Sequence, residues 1–193
     1  AADTGAITNG NGYGTIRSNG NVSLTAWKDI GAADLTNPGG GNSNRRAILL
    51  DGTTPLTLTV TALQSGRNIF LSNLGSGTTT LGTIDATGRF DYKQNSGDTV
   101  VGNVRGTAAT SLANTYGSIL DDGNTSTRIT SNSVQLSAGG NLGTADQHLQ
   151  VDTPALTVTA PGHIAVDNNQ AYTSLDITRT GVGTGTLAIT GTG

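Results

Sequence analysis

The chain has 193 residues and 13 acidic side chains, all of them aspartate, because glutamate is absent. Four of these, Asp34, Asp51, Asp146 and Asp152, recur between apolar runs in two matched stretches. Carboxylates from neighbouring coils of a repetitive β-fold can bind Ca²⁺, or act as acid and base in polysaccharide cleavage. A catalytic pair should be unique, whereas these four recur with the scaffold, so their expected role is the turn role common for aspartate. Asp121-Asp122-Gly123-Asn124 is the densest run of oxygen ligands. It makes Asp121, Asp122 and Asn124 the candidate ligands for Ca²⁺, the one cofactor the chain admits. The run lacks the Asp-x-Asp-x-Asp-Gly spacing of an EF-hand and the Gly-Gly-x-Gly-x-Asp nonapeptide of calcium β-rolls, so a plain turn is the stronger reading. His148 and His163 stand 15 residues apart with no cysteine to join them, which is not a zinc pattern. There is no Gly-x-Ser-x-Gly elbow, and the glycine-rich stretches have no P-loop lysine. No residue is expected to be catalytic, and the chain is not expected to be an enzyme.

Trp27, the single tryptophan, is the candidate ligand-binding residue. It ends an apolar run at a place where the matched stretch has Gly139, so the aligned core does not require the ring. An indole exposed there suits stacking on the apolar face of a sugar. The competing expectation is that it folds over a corner and covers an aliphatic neighbour. Tyr13 and Tyr116 are matched in the same way and are read as scaffold.

The elements that must carry these residues are strands. Val22, Leu24 and Ala26 alternate with polar residues, as do Leu56, Leu58, Val60 and Ala62. The same period of two marks Val134/Leu136/Ala138, Leu156/Val158/Ala160 and Ile164/Val166, and it predicts strands with one apolar face. The runs are short and separated by Gly, Asn, Asp or Pro. Val22-Ser23-Leu24-Thr25-Ala26 and Ile30-Gly31-Ala32-Ala33-Asp34 return 112 residues later as 134–138 and 142–146. Asn11 to Ile16 returns at 114–119 with an offset of 103, and Leu58 to Ala62 at 156–160 with an offset of 98. Order kept while spacing drifts is the mark of repeats whose insertions lie in loops. The expected organisation is therefore one continuous unit, 1–193, with two imperfect repeats at about 5–100 and 108–193 and a loop insertion at 37–44. Few aromatics and few tight hairpin turns favour a β-solenoid over a sandwich or barrel. Roughly 20 residues per coil predicts about nine or ten coils, a rod on the order of 45 Å long.

Composition narrows the function classes. Hydrophobic content is 34% and net charge −3. The strict alternation of the apolar residues argues against disorder. With a pI near 5.0 and Arg45-Arg46 as its one basic pair, the chain is not expected to bind nucleic acid. No run is long and apolar enough to insert into a membrane. The opening Ala-Ala-Asp and closing Gly-Thr-Gly are read as the cut ends of a slice from a longer rod.

Residues 134–146 (Val-Gln-Leu-Ser-Ala-Gly-Gly-Asn-Leu-Gly-Thr-Ala-Asp), then Leu149-Gln150-Val151-Asp152 and Leu156 to Val166, resemble the rod repeats of filamentous-haemagglutinin-like exoproteins. These are large bacterial adhesins exported by two-partner secretion. The resemblance is looser over 22–73, and its elements are similar to those of β-helical autotransporter passengers as well. Asn37-Pro38-Gly39-Gly40 faintly resembles the Asn-Pro motif of the family's secretion domain, but it lies in the loop insertion, so the secretion role is not carried over. The resemblance implies a right-handed parallel β-helix, secreted to a Gram-negative cell surface or extracellular matrix through an outer-membrane transporter. It also implies attachment or biofilm cohesion, with exopolysaccharide, host-cell glycans or receptors, and neighbouring copies as partners. Two other classes remain open. One is a self-assembling structural fibre with no foreign ligand. The other is a β-helical polysaccharide lyase or hydrolase, which the lack of glutamate disfavours.

Overall fold

Alternating runs of Thr, Val, Ile and Leu form strands, and each strand must bury its apolar face against another layer. In the computed structural model, which describes residues 5–8, 15–32, 47–181 and 185–192, they do this as a parallel β-solenoid. The first strands are β1 (Thr15–Arg17), β2 (Asn21–Ala26), β3 (Ile48–Asp51), β4 (Leu56–Ala62), β5 (Ile69–Asn73) and β6 (Thr79–Ala86). Next come β7 (Arg89–Gln94), β8 (Thr99–Gly106), β9 (Ala109–Asn114), β10 (Ile119–Asp121), β11 (Ile129–Thr130) and β12 (Val134–Ala138). The last are β13 (Leu149–Asp152), β14 (Ala155–Ala160), β15 (Ile164–Asn168), β16 (Ser174–Arg179) and β17 (Leu187–Gly191). Sheet A stacks β1, β3, β5, β7, β9, β12, β14 and β16. Sheet B stacks β2, β4, β6, β8, β11, β13, β15 and β17, with β10 also paired to β8. All of these pairs are parallel.

Sheet A is eight strands deep among the described residues, fewer than the nine or ten layers that chain length suggests. The difference lies in the turns. Leu58 to Leu81 takes 23 residues, with turns at 63–68 and 74–78, and Thr110 to Val134 takes 24, with 122–128 standing outside the ladder. At about 4.8 Å per layer the stack is roughly 34 Å deep.

The core is a set of columns, one residue from each layer. Ile48, Leu71, Tyr92, Leu112, Leu136 and Val158 form one in sheet A. Leu24, Val60, Ile84, Val104, Ile129 and Val151 face them from sheet B. Nearly all are buried, Leu24 of the outermost layer being the partly covered one.

The internal repeat is visible in the backbone. Ile7 bridges Ile30, which bridges Ile69, and in the second copy Ile119 bridges Leu142, which bridges Ile164. The hydrogen bonds repeat too: Gly31 N donates to Ile7 O at 2.8 Å, and Gly143 N to Ile119 O at 2.9 Å. Both glycines have positive φ, 71° and 65°, and turn the chain out of the strand. A Cβ at either would lie 2.5 Å from a carbonyl oxygen of the next layer, Phe70 O or Ala165 O. The structural counterpart of Ile119 is thus Ile7, and not Ile16 as the 103 offset suggests. Tyr13, Asp34, Arg45-Arg46 and the insertion at 37–44 lie outside the described residues.

The two copies occupy opposite sheets. Ile30 joins sheet A through β5, whereas Leu142 joins sheet B through β15. Each circuit places one strand on each sheet, and an odd number of strand positions separates the copies. The second copy is therefore turned half a circuit about the axis.

One corner of the core is polar. Leu50, Asn73, Gln94 and Asn114 form a column beside Leu56, Thr79 and Thr99. Asn73 Nδ2 donates to Thr79 Oγ1 at 2.8 Å, and Thr99 Oγ1 donates to Gln94 Oε1 at 3.1 Å. Asn114 Nδ2 donates to Gly97 O at 2.8 Å, and its Oδ1 accepts from Gly117 N at 2.7 Å. The buried Tyr92 hydroxyl donates to Gln94 Oε1 at 2.7 Å, and burial pushes its pKa up. These side chains satisfy backbone groups that a tight turn leaves inside the core.

Two outcomes follow for stability. Asn114→Ala orphans several buried backbone groups and is expected to cost about 3 kcal/mol in urea unfolding. Thr110 Oγ1 is buried without a hydrogen-bond partner among the described residues, so Thr110→Val is expected to raise stability by about 1 kcal/mol in the same assay. A loss on Thr110→Val would show that the hydroxyl is solvated or bonded.

Candidate functional site

Trp27 directly follows β2, where the chain leaves sheet B. Ala26 and Ala62 are paired, and the ladder continues past them: Leu63 N donates to Ala26 O at 2.9 Å and Gln64 N to Trp27 O at 3.0 Å. Trp27 and Leu63 are thereby neighbours in adjacent layers, 42% and 53% exposed. The ring is neither free nor folded away. It is half covered, with a large face left to solvent.

The polar groups of this corner are fixed by the same ladder. Arg67 Nε donates to Gln64 Oε1 at 2.9 Å, and Arg67 N donates to Thr87 Oγ1 at 3.0 Å. Thr87 Oγ1 donates to Gln64 O at 2.5 Å, tying the next layer in. Asp29 Oδ1 accepts from Asn68 N at 2.7 Å. Among the described residues neither Lys28 nor Arg67 is in an ion pair, whereas Arg89 is paired to Asp91 at 2.6 Å and Arg105 to Asp85 at 3.3 Å. An indole face, an aliphatic shelf, an oriented amide and two cations thus share one corner. Such a corner can stack against an apolar face and donate hydrogen bonds to oxygen acceptors.

The acidic run sits elsewhere. β10 is four strands along sheet B from β2, on the order of 19 Å away. Asp121 pairs with Val101 and Ile129 with Val104, so seven residues, 122–128, stand where the layer below has two. In this excursion one side-chain oxygen of each of Asp121, Asp122 and Asn124 accepts a backbone hydrogen bond. Asp121 Oδ1 accepts from Gly123 N at 2.8 Å, Asp122 Oδ1 from Asn124 N at 3.0 Å, and Asn124 Oδ1 from Ser126 N at 3.0 Å. Thr127 Oγ1 adds a bond to Asp122 Oδ1 at 2.6 Å. These are successive Asx turns, the role expected of aspartate in a turn. Among the described residues no three His, Cys, Asp or Glu side chains converge as a metal site would need. Burial raises the pKa of Asp121, and the bond from Gly123 opposes that rise.

Asp51, Asp146 and Asp152, the recurrent aspartates among the described residues, do not meet. Asp51 closes β3 on sheet A and pairs with Arg17 at 3.2 Å. Asp152 closes β13 on sheet B and accepts from Gln170. Asp146 is exposed in the excursion between Leu142 and Leu149. The half-circuit rotation of the second copy separates positions that match in sequence.

One polar group escapes sequence reading altogether. Asp167 receives His148 Nδ1 at 2.9 Å, Thr190 Oγ1 at 2.8 Å and Gln150 Nε2 at 3.3 Å. These residues come from two strands and a turn, and only register brings them together. Burial works against ionisation of Asp167, but the bonds from His148, Thr190 and Gln150 outweigh it and hold the carboxyl below its ordinary range. His163 Nδ1 accepts from Thr186 N at 3.0 Å and so serves the backbone of a turn.

No protein-family model, curated protein or solved structure matches this chain.

A depressed carboxyl pKa stabilises the fold above the unfolded value near 4, and that contribution is lost as pH falls through the folded value. Asp167→Asn should therefore lower stability by about 1 kcal/mol at pH 6, after allowance for its partial exposure. The gap between variant and wild type should close below about pH 3. Melting curves across pH check this, and a gap that stays constant with pH would assign the loss to packing alone.

Proposed function

We propose that this chain is a rod segment of a secreted bacterial surface adhesin, and that it meets exopolysaccharide or host glycans at the Trp27 corner. Two things support the rod reading. Parallel strands stacked on one axis make a stiff spacer, and residues 134–166 resemble the rod repeats of filamentous-haemagglutinin-like exoproteins. In that setting the chain would be exported through an outer-membrane transporter and act at the cell surface in attachment or biofilm cohesion.

The observation that carries the glycan part is the exposed pair Trp27 and Leu63, flanked by Gln64 and Arg67. The indole would stack on the C–H face of a pyranose ring. The amide and guanidinium would bond its hydroxyl or carboxylate oxygens. The outer face of sheet B continues the surface with Ser23, Thr57 and Thr59, small polar groups at the regular spacing of the ladder.

A panel of bacterial exopolysaccharides and host glycans, titrated against the purified 193-residue chain, tests this reading. Saturable binding to one sugar class is expected. Trp27→Ala should weaken it by roughly tenfold or more while leaving the melting temperature within a few degrees. Binding that survives Trp27→Ala would move the site off this corner. A folded chain that binds no glycan in the panel would leave the segment a shaft without a recognition role.

A further inference from the structure

The corner that carries Trp27 recurs in every layer, where the chain leaves sheet B for sheet A. Backbone bonds join its successive turns. Gln64 N donates to Trp27 O at 3.0 Å, Gly88 N to Arg67 O at 2.7 Å, Thr107 N to Ala86 O at 3.1 Å and Asn132 N to Thr107 O at 3.2 Å. Trp27 and Asn132 therefore lie on one edge of the rod. They are four ladder steps apart, β2 to β4, β6, β8 and β11, which is on the order of 19 Å.

A recess of about 110 Å³ opens on this edge at the upper position, lined by Arg105, Thr107, Thr130, Asn132, Asp152 and Gln170. Every one of these side chains is polar. Register gathers them, because Arg105 pairs with Thr130 through the ladder and Thr130 with Asp152. At the base the buried Ser131 hydroxyl donates to Gly106 O at 2.5 Å, which ties the β8 and β11 layers together. Among the described residues the side chains of Thr107, Thr130 and Asn132 have no hydrogen-bond partner. Asp152 accepts from Gln170, and Arg105 is neutralised by Asp85 at 3.3 Å.

This composition selects its occupant. Two amides, two hydroxyls, a carboxylate and a guanidinium can bond several hydroxyl groups at once. An apolar group would leave them unpaired, and an anion would face the Asp152 carboxylate. A neutral sugar meets both conditions. The edge between the recess and the Trp27 corner is low. The β6 layer turns there on Thr87 and Gly88, and the β8 layer on Thr107 and Ala108. A Cβ at Gly88 would lie 2.9 Å from Arg67 O, so that turn sits close on the layer below it.

We propose that the recess is a second sugar subsite, and that the ligand is a linear polysaccharide lying along the rod axis from Trp27 to Asn132 with a neutral sugar in the recess. This rests on the glycan reading of the Trp27 corner. It adds that a single sugar or a disaccharide cannot fill the site, because two subsites so far apart are joined only by a chain.

Fragments of hyaluronan, cellulose and alginate, each as a disaccharide and as a chain of about eight sugars, test the proposal by calorimetry on the 193-residue chain. Trp27 is the single tryptophan, so its fluorescence reports the lower subsite directly. The long hyaluronan or cellulose fragment should bind about tenfold or more tighter than its disaccharide. Alginate, acidic at every sugar, should gain less from length. Thr107→Trp, which fills the recess, and Asn132→Ala, which removes an amide from it, should each abolish most of the length gain. Both should leave disaccharide affinity and the melting temperature unchanged, whereas Trp27→Ala should weaken both lengths. Fluorescence-detected binding with equal affinity at both lengths overturns the second subsite and leaves the Trp27 corner standing. A length gain that survives both Thr107→Trp and Asn132→Ala does the same. No binding of any fragment to the folded chain removes the glycan reading and this inference with it.

Discussion

Everything in this molecule depends on the parallel backbone ladder that joins each layer to the next. Parallel strands cannot be joined by a tight hairpin, so every strand must pass round the axis before it pairs again. Once the ladder fixes the register, each inward residue falls on the one below it. Ile48, Leu71, Tyr92, Leu112, Leu136 and Val158 are one column for that reason. The core is narrow and is filled mostly by aliphatic residues, which stack without needing rings to interlock. Phe90 and Tyr92 are the large exceptions, and both are buried mid-stack.

The ladder also explains where polarity is admitted. A corner turns the chain sharply and leaves carbonyls and amides facing inward. Asn73, Gln94 and Asn114 stand in successive layers at one such corner and bond those groups or the threonines beside them. Asn168 repeats the device at another corner, accepting from Thr153 N at 3.1 Å and donating to Gln170 O at 2.8 Å. Buried amides are expensive unless they are fully used, and here each one closes a turn. The excursions follow the same logic from the other side. A strand can open after Asp121 or Leu142, send a loop out, and rejoin the ladder two or three positions further along the strand below or above it. Loop length therefore varies freely while the stack stays intact.

For function, the consequence is that outward residues are arranged by layer and not by sequence. The Trp27 corner gathers side chains from 27, 63, 64, 67 and 87 because those positions follow one another up the same edge. The two repeats do not make a paired site, since they face opposite ways.

The sequence by itself determined the strands. A period of two over five or six residues says which face is buried, and that is local information. It also determined the architecture, because short aliphatic runs in drifting repeats suit a solenoid better than a sandwich, and it marked Trp27 as dispensable to the core through Gly139. Tertiary structure alone decided which residues stand side by side. The layer of a residue depends on how many of the preceding residues are spent in turns and excursions instead of strands, and that division is not local information. That is why the half-circuit offset of the two repeats, the neighbourhood of Leu63 and Arg67 with Trp27, and the meeting of His148, Gln150 and Thr190 at Asp167 could not be read along the chain. The depth of the stack was misjudged for the same reason, because residues spent in excursions add to length without adding a layer.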